Sequence, residues 1–239
     1  MAGTRQGGTL AHTHEGQPGL PRGRSRLPAR AVQASQRERL LRAVVAAVAE
    51  AGFAAVTVAD IVRRAKVSRA AFYAHFAGKE DCFLAATGQG GQLMISRVVS
   101  ATRAVPAGAP DEEVLRAACR AFLAFLADEP EFARVFYIDM PAAGDRAVER
   151  LDTAQHRFAD LNRTWHERAR VRHPGWPAVP YEAYLALAGA TAELVRTRVR
   201  QSGTDAIPGL EDTIVSLHLA VMAGRRWADG PPAVHMNTR

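Results

Sequence analysis

Arg69, Ala70 and Tyr73 stand at spacings that a short helix would hold on a side away from Phe72 and Phe76, which are four apart and share the other side. Small and polar residues at the N-terminal end of a short helix can enter a DNA major groove, so the chemistry to expect is hydrogen bonding to a polyanion rather than bond making. Ser68 immediately precedes and suits the N-cap. Upstream, Thr57 and Asp60 have the spacing of a capping box, and Ile61, Val62 and Ala65 follow as an apolar stripe. Lys66, Val67 and Ser68 form a polar break between the two segments. Residues Thr57 to Lys79 therefore have the pattern of a helix-turn-helix.

These two helices need a third to pack against. Leu40, Leu41, Val44, Val45 and Val48 recur at helical spacing between Gln36 and Ala51, and Gly52 marks a stop. Phe53 and Val56 carry apolar contact onward. The spacing predicts a helix starting near Ala34, a further one from Lys79-Glu80-Asp81, and helices around 111–127, 130–139, 145–172, 179–201 and 209–227, separated by Pro or Gly breaks. Nothing has the alternation of a strand, so the expected fold class is all-α. Residues 1–34 are rich in Gly, Pro and Arg without periodicity and are expected to be a disordered basic extension. The expected domains are a DNA-binding domain at 35–80 and an effector-binding and dimerisation domain at 81–228, with a disordered tail at 229–239.

Charge points the same way as the helix-turn-helix. Residues 1–80 hold 13 Lys and Arg against 5 Asp and Glu, whereas residues 81–239 hold 18 against 19. The net charge of +7 therefore lies at the N-terminal end, where counterion release would favour a polyanion. No apolar run approaches the roughly 20 residues that span a bilayer, and the first 30 residues lack a signal-peptide centre, so the expected location is cytoplasmic, with no membrane partner. Cys82 and Cys119 lie in apolar helical patterns and are expected in the core, and His12 and His14 are expected to be solvated. Neither a cofactor nor a metal is expected. The chain has no Gly-x-Ser-x-Gly elbow, no His-Glu-x-x-His and no phosphate loop, which weighs against an enzyme.

The run from Thr57 through Val62, the turn at Val67-Ser68-Arg69, the segment Phe72-Tyr73-Ala74-His75-Phe76 and Gly78-Lys79-Glu80 together resemble the TetR/AcrR family of transcriptional regulators over roughly residues 35–85. The resemblance implies phosphate contacts from Thr57 and Lys79 at helix N-termini, backbone contacts from Tyr73 and His75, and contacts to base edges or flanking phosphates from Ser68, Arg69 and Ala70. Arg69 is the candidate reader of guanine. The extension with Arg22, Arg24, Arg26 and Arg30 departs from simple members and would suit a minor-groove arm.

The resemblance also implies an effector pocket in the middle helices. There Phe122, Phe125, Phe136, Tyr137, Phe158, His156 and Trp165 are the candidate ligand-binding residues, with Phe132 and His166 nearby in sequence. The expected ligand is a small, mostly apolar effector. The apolar pattern of residues 182–199 and 211–222, including Leu194 and Leu217, predicts a homodimer that would bind a palindromic operator in double-stranded DNA. Gly88, Gly90 and Gly91 weaken the helix that begins at Lys79, and two readings stay open: a hinge that transmits effector binding, or a tight packing site. The function expected is a ligand-responsive regulator, most simply a repressor; a helical protein-binding adaptor with a vestigial DNA head is the first alternative and a helical enzyme the second.

Overall fold

A computed structural model describes residues 8–12 and 28–225. Among these residues all regular structure is helical: α1 (Ala29–Ala51), α2 (Val58–Ala65), α3 (Arg69–His75), α4 (Lys79–Ala104), α5 (Asp111–Asp128), α6 (Pro130–Arg134), α7 (Asp145–Arg172), α8 (Tyr181–Ser202) and α9 (Glu211–Met222). A π turn (Val135–Asp139) and a 3-10 turn (Met140–Ala143) continue α6, and another 3-10 segment (Thr204–Leu210) precedes α9. No helix among the described residues is long and apolar enough to cross a membrane.

The chain divides into two compact units. The first lies within Met1–Met94 and Phe125–Asp152, the second within Ile95–Ala124 and Thr153–Arg239. In the first unit, α1 packs against α2, α3 and α6. Its core is the apolar stripe anticipated from the spacing: Leu40, Leu41, Val44, Val45 and Val48 are buried together with Ile61, Ala65, Phe72 and Phe76. Burying a side chain such as Phe72 contributes about 1.5–3 kcal/mol. Gly52 ends α1 at φ 80, a conformation that glycine adopts without steric cost, and its N–H donates to the Val48 carbonyl at 2.8 Å.

Two features of this unit depart from the sequence reading. Helix α1 starts at Ala29 rather than near Ala34, because Pro28 occupies the N-cap position and Ala29, Arg30 and Ala31 are good helix formers. Residues 8–12 are ordered rather than structureless: Gly8 to Ala11 form a turn, closed by the Ala11 N–H on the Gly8 carbonyl at 3.1 Å, and that turn is held by Glu129 and Glu131. Arg22, Arg24, Arg26 and the expected tail at 229–239 lie outside the described residues.

In the second unit Ala159, Tyr184, Leu187 and Met222 form a buried cluster, with Trp165, Tyr181, Leu185 and Leu217 packed against it. Charge pairs tie α5 to the C-terminal helices. Arg116 and Arg120 donate to Glu211, Arg225 to Glu112, and Arg172 and His173 converge on buried Asp111. Cys82 and Cys119 are free and buried as expected, and burial pushes both thiols up to about 12, which leaves them un-ionised and unreactive.

Candidate nucleic-acid interface

The start of α2 is a completed capping box. The Thr57 N–H donates to the Asp60 carboxylate at 3.1 Å and the Thr57 hydroxyl donates to the same oxygen at 2.6 Å, while the Asp60 N–H donates back to the hydroxyl at 3.3 Å. These hydrogen bonds hold the Asp60 carboxyl below its ordinary range, helped by Arg63 and Arg64. The arrangement fixes where α2 begins. It also turns the Thr57 hydroxyl proton inward onto Asp60, so Thr57 acts first as an organiser of this end.

Lys66 closes α2 in the left-handed conformation at φ 52, and its N–H donates to the Arg63 carbonyl at 3.3 Å. This single reversal sets the angle at which α3 leaves α2. Ser68 then caps α3, its hydroxyl accepting from the Ala71 N–H at 3.1 Å. Phe72 and Phe76 point into the core with centroids 5.8 Å apart, which leaves Ser68, Arg69, Ala70 and Tyr73 exposed and His75 half-buried. Tyr73 is 50% exposed, a large value for an aromatic ring, and it stands edge-on to Phe72 at 5.3 Å. The Arg69 guanidinium lies 5.8 Å from the Tyr73 ring, so the two side chains support one another on the solvent side.

Lys79 opens α4 with its ammonium 2.7 Å from the Phe53 carbonyl and 4.3 Å from the Phe53 ring. One of its three N–H donors fixes the loop between α1 and α2, and two remain for an anion. Arg37 adds a cation that the motif does not announce: it is exposed on α1 and lies 5.6 Å from the Phe76 ring at the end of α3. Its signal in the sequence is only its place among the arginines preceding the apolar stripe.

The family model for bacterial regulatory proteins of the tetR family matches residues 40–86, which span the C-terminal part of α1, the helix-turn-helix and the first turns of α4. Residues 40–86 are thus the amino-terminal domain of the tetR family. Similar solved structures include the fatty acid degradation regulator FadR from Bacillus halodurans, with a TM-score of 0.69 at 17% identity, covering 80% of this chain and 96% of that one. FadR from Bacillus subtilis, solved in complex with stearoyl-CoA, follows at 0.66 and 16%, covering 79% and 98%. A TetR-like regulator from Rhodococcus sp. RHA1 gives 0.59 and 22%, covering 84% and 100%. At these identities the likeness is one of fold. No curated protein matches the chain by sequence.

The candidate effector residues fall in both units. In the first, Phe125, Phe132, Phe136 and Tyr137 form a continuous buried aromatic file, with successive centroids 5.7, 5.5 and 5.3 Å apart. Burial raises the Tyr137 hydroxyl well above its ordinary range. In the second, Phe122 meets Phe158 edge-on at 5.4 Å, and the Trp165 indole N–H donates to the Asp111 carbonyl at 3.2 Å. His156 is exposed and pairs with the Tyr181 hydroxyl at 3.0 Å. His166, beside the candidates, is fully buried against the Tyr184 hydroxyl at 2.8 Å, and burial lowers its pKa below the ordinary 6.5.

Gly90 resolves one of the two readings of α4. A Cβ at this position would lie 2.1 Å from the Phe132 ring, whereas at Gly88 the nearest atom is an Arg150 nitrogen at 3.9 Å and at Gly91 nothing lies within 4 Å. Gly90 is a packing glycine. Among the described residues no group of His, Cys, Asp and Glu is arranged to hold a metal.

Proposed function

We propose that the protein is a dimeric, cytoplasmic transcriptional repressor that binds a palindromic operator through α3 and is released by a small, mostly apolar effector. The observation that carries the reading is the two-sided character of α3: Phe72 and Phe76 are buried while Ser68, Arg69, Ala70 and Tyr73 stand in solvent, with the Arg37 guanidinium near the Phe76 end. Arg69 reads a guanine edge, Ser68 and Ala70 meet bases or flanking phosphates, and Tyr73, His75 and Lys79 meet the backbone. Thr57 holds the start of α2, where its backbone N–H groups favour a phosphate. DNA binding belongs to residues 35–80 and effector binding with dimerisation to residues 81–228.

The dimer reading rests on α8 and α9. Val195, Ile214 and Leu219 are buried within their own unit, but Leu185, Leu194, Leu217 and Val221 remain half-buried and apolar. A two-fold partner would cover them. Asp at Leu194 or Leu217 would place a charge in that contact, and the expected result is a monomer by analytical ultracentrifugation with greatly weakened operator binding.

The file from Phe125 to Tyr137 and the pair Phe122–Phe158 support an apolar effector. The stearoyl-CoA bound to the fold neighbour from Bacillus subtilis makes a long-chain acyl thioester the first compound to assay. Footprinting on the gene's own upstream region tests the proposal: a protected palindrome that acyl-CoA or another apolar compound deprotects is the expected result. A fully folded protein that protects no sequence would sink the repressor reading.

A further inference from the structure

We propose that the joint between α5 and α6 is a peptide-recognition socket and that the chain's own Gly8–Ala11 turn is its resident ligand. Glu129 is 2% exposed, an extreme value for a carboxylate. It precedes Pro130 at the N-cap of α6, yet its side chain makes no capping hydrogen bond. A carboxylate removed from water must be met by donors. The donors come from far upstream: the Leu10 N–H reaches one oxygen at 2.8 Å and the Thr9 hydroxyl reaches the other. Beside them the Gly8 N–H donates to Glu131 at 3.1 Å. Three consecutive residues thus aim donors at two neighbouring carboxylates, the arrangement by which a short turn binds an anion.

The fit is selective. A Cβ at Gly8 would lie 2.3 Å from the Glu129 carboxylate, 2.8 Å from the Glu129 Cα and 3.0 Å from the Asp128 carbonyl, and the last two are backbone atoms that cannot swing aside. Only glycine can occupy that position. Thr9 supplies a hydroxyl that Val would lack, and Ala11 is buried where a longer side chain would need room. The ligand class is therefore a glycine-hydroxyl-X-small turn offering its donors on one side.

The socket sits where it can matter to the DNA-binding unit. Helix α6 packs on α1, and Phe132, three residues beyond Glu129, packs against Gly90 of α4. With the turn seated, both Glu129 carboxylate oxygens accept hydrogen bonds and α6 is held. An empty socket leaves a buried anion without donors, which α6 can relieve only by shifting to admit water. The turn is a strap from the beginning of the chain to the element that supports both α1 and α4.

Hydrogen exchange of the full chain tests the inference. In the native protein the Leu10 amide should exchange at least roughly tenfold more slowly than in a free peptide of residues 7–12. Gly8→Val should abolish that protection and speed exchange in residues 129–134, while the core of α1 stays protected. Adding the free peptide of residues 7–12 to the Gly8→Val protein should restore protection in residues 129–134. Thr9→Val should weaken the protection without removing it. Leu10 exchange at the free-peptide rate in the native protein, or unchanged protection in Gly8→Val, would overturn the socket. Protection that falls on dilution would assign the turn to a second copy and overturn the intramolecular strap. None of these readouts involves DNA or effector, so failure here is separate from failure of the repressor reading.

Discussion

Asp111 and Asp139 are both largely buried aspartates, one in each unit, and their surroundings are opposite. Asp111 accepts from Arg172 and His173, and the hydrogen bonds from Arg172 outweigh burial and hold its carboxyl below the ordinary 3.8. Asp139, in the π turn, keeps one oxygen buried without a partner, has Arg134 only at 3.9 Å, and is raised by burial. The same side chain stabilises one unit and burdens the other. The second unit uses a carboxylate as a fastener between α5 and α7, whereas the unit bearing the helix-turn-helix carries an incompletely satisfied one beside its irregular turn, and such defects often mark places that change conformation.

The strongest attack on this contrast is through packing of the first unit. Gly90→Ala forces a methyl group into the Phe132 ring, with an overpacking cost of about 1–3 kcal/mol that exceeds the roughly 1 kcal/mol gained in helix propensity. Gly88→Ala meets only ordinary contact and should stabilise by up to about 1 kcal/mol. Urea denaturation of the two single variants separates them, since the expected shifts are opposite in sign; two stabilised proteins would remove Gly90 from its packing role.

Of comparable size, Asp111→Asn should destabilise the second unit by about 2 kcal/mol, since charged hydrogen bonds from Arg172 and His173 are lost. Hydrogen exchange should place the loosening in α5 and α7. A variant as stable as the parent would show that solvated Arg172 contributes nothing through this pair.

Acid should act on the second unit before the first. His166 and His218 are buried, and desolvation keeps both below the ordinary 6.5, against a backbone hydrogen bond that partly supports the charged form of each. The unfolded chain therefore binds more protons as pH falls through about 6.5, so stability present above that value is lost below it, until the folded-state values are reached. Near His166, Arg170 deepens the depression and Glu167 opposes it. Thermal melts at about pH 7.5 and 5.5 should show the loss, and His166→Phe should reduce it. Asp139 responds in the other direction: its raised carboxyl is a penalty that grows as pH rises from 3.8 through its folded value. The smallest expected effect follows, a gain at neutral pH of up to about 1 kcal/mol for Asp139→Asn. Lower stability in that variant would mean that the charge is used.

The head was legible in the chain because its signals are local. Thr57 and Asp60 three apart, Ser68 before a helix, Phe72 and Phe76 four apart, and Gly52 after an apolar stripe each encode a hydrogen bond or a face within one turn of helix. The helices from α5 to α9 were likewise bounded by their Pro and Gly breaks. What escaped depends on partners distant in sequence. Glu129 before Pro130 looks like a solvated helix start, and nothing in its neighbourhood reveals that residues 8–10 bury it. Gly90 in sequence suits a hinge as well as a packing site, because the Phe132 ring that lies against it is 42 residues away along the chain. The aromatic candidates were visible as mass but not as a group, since spacing along α5 to α7 does not tell which of the two units each ring enters.

The most direct test of the central claim, that the outward face of α3 reads DNA, is fluorescence anisotropy on the footprinted operator and its single-base variants across a salt series. The native protein should lose affinity steeply with salt, and Tyr73→Phe should weaken all sequences alike. Arg69→Ala, folded as the parent, should shrink the discrimination between operator and variant by about 1–3 kcal/mol at one base pair of each half-site. Discrimination left intact in Arg69→Ala, with affinity unchanged in both variants, would contradict the claim.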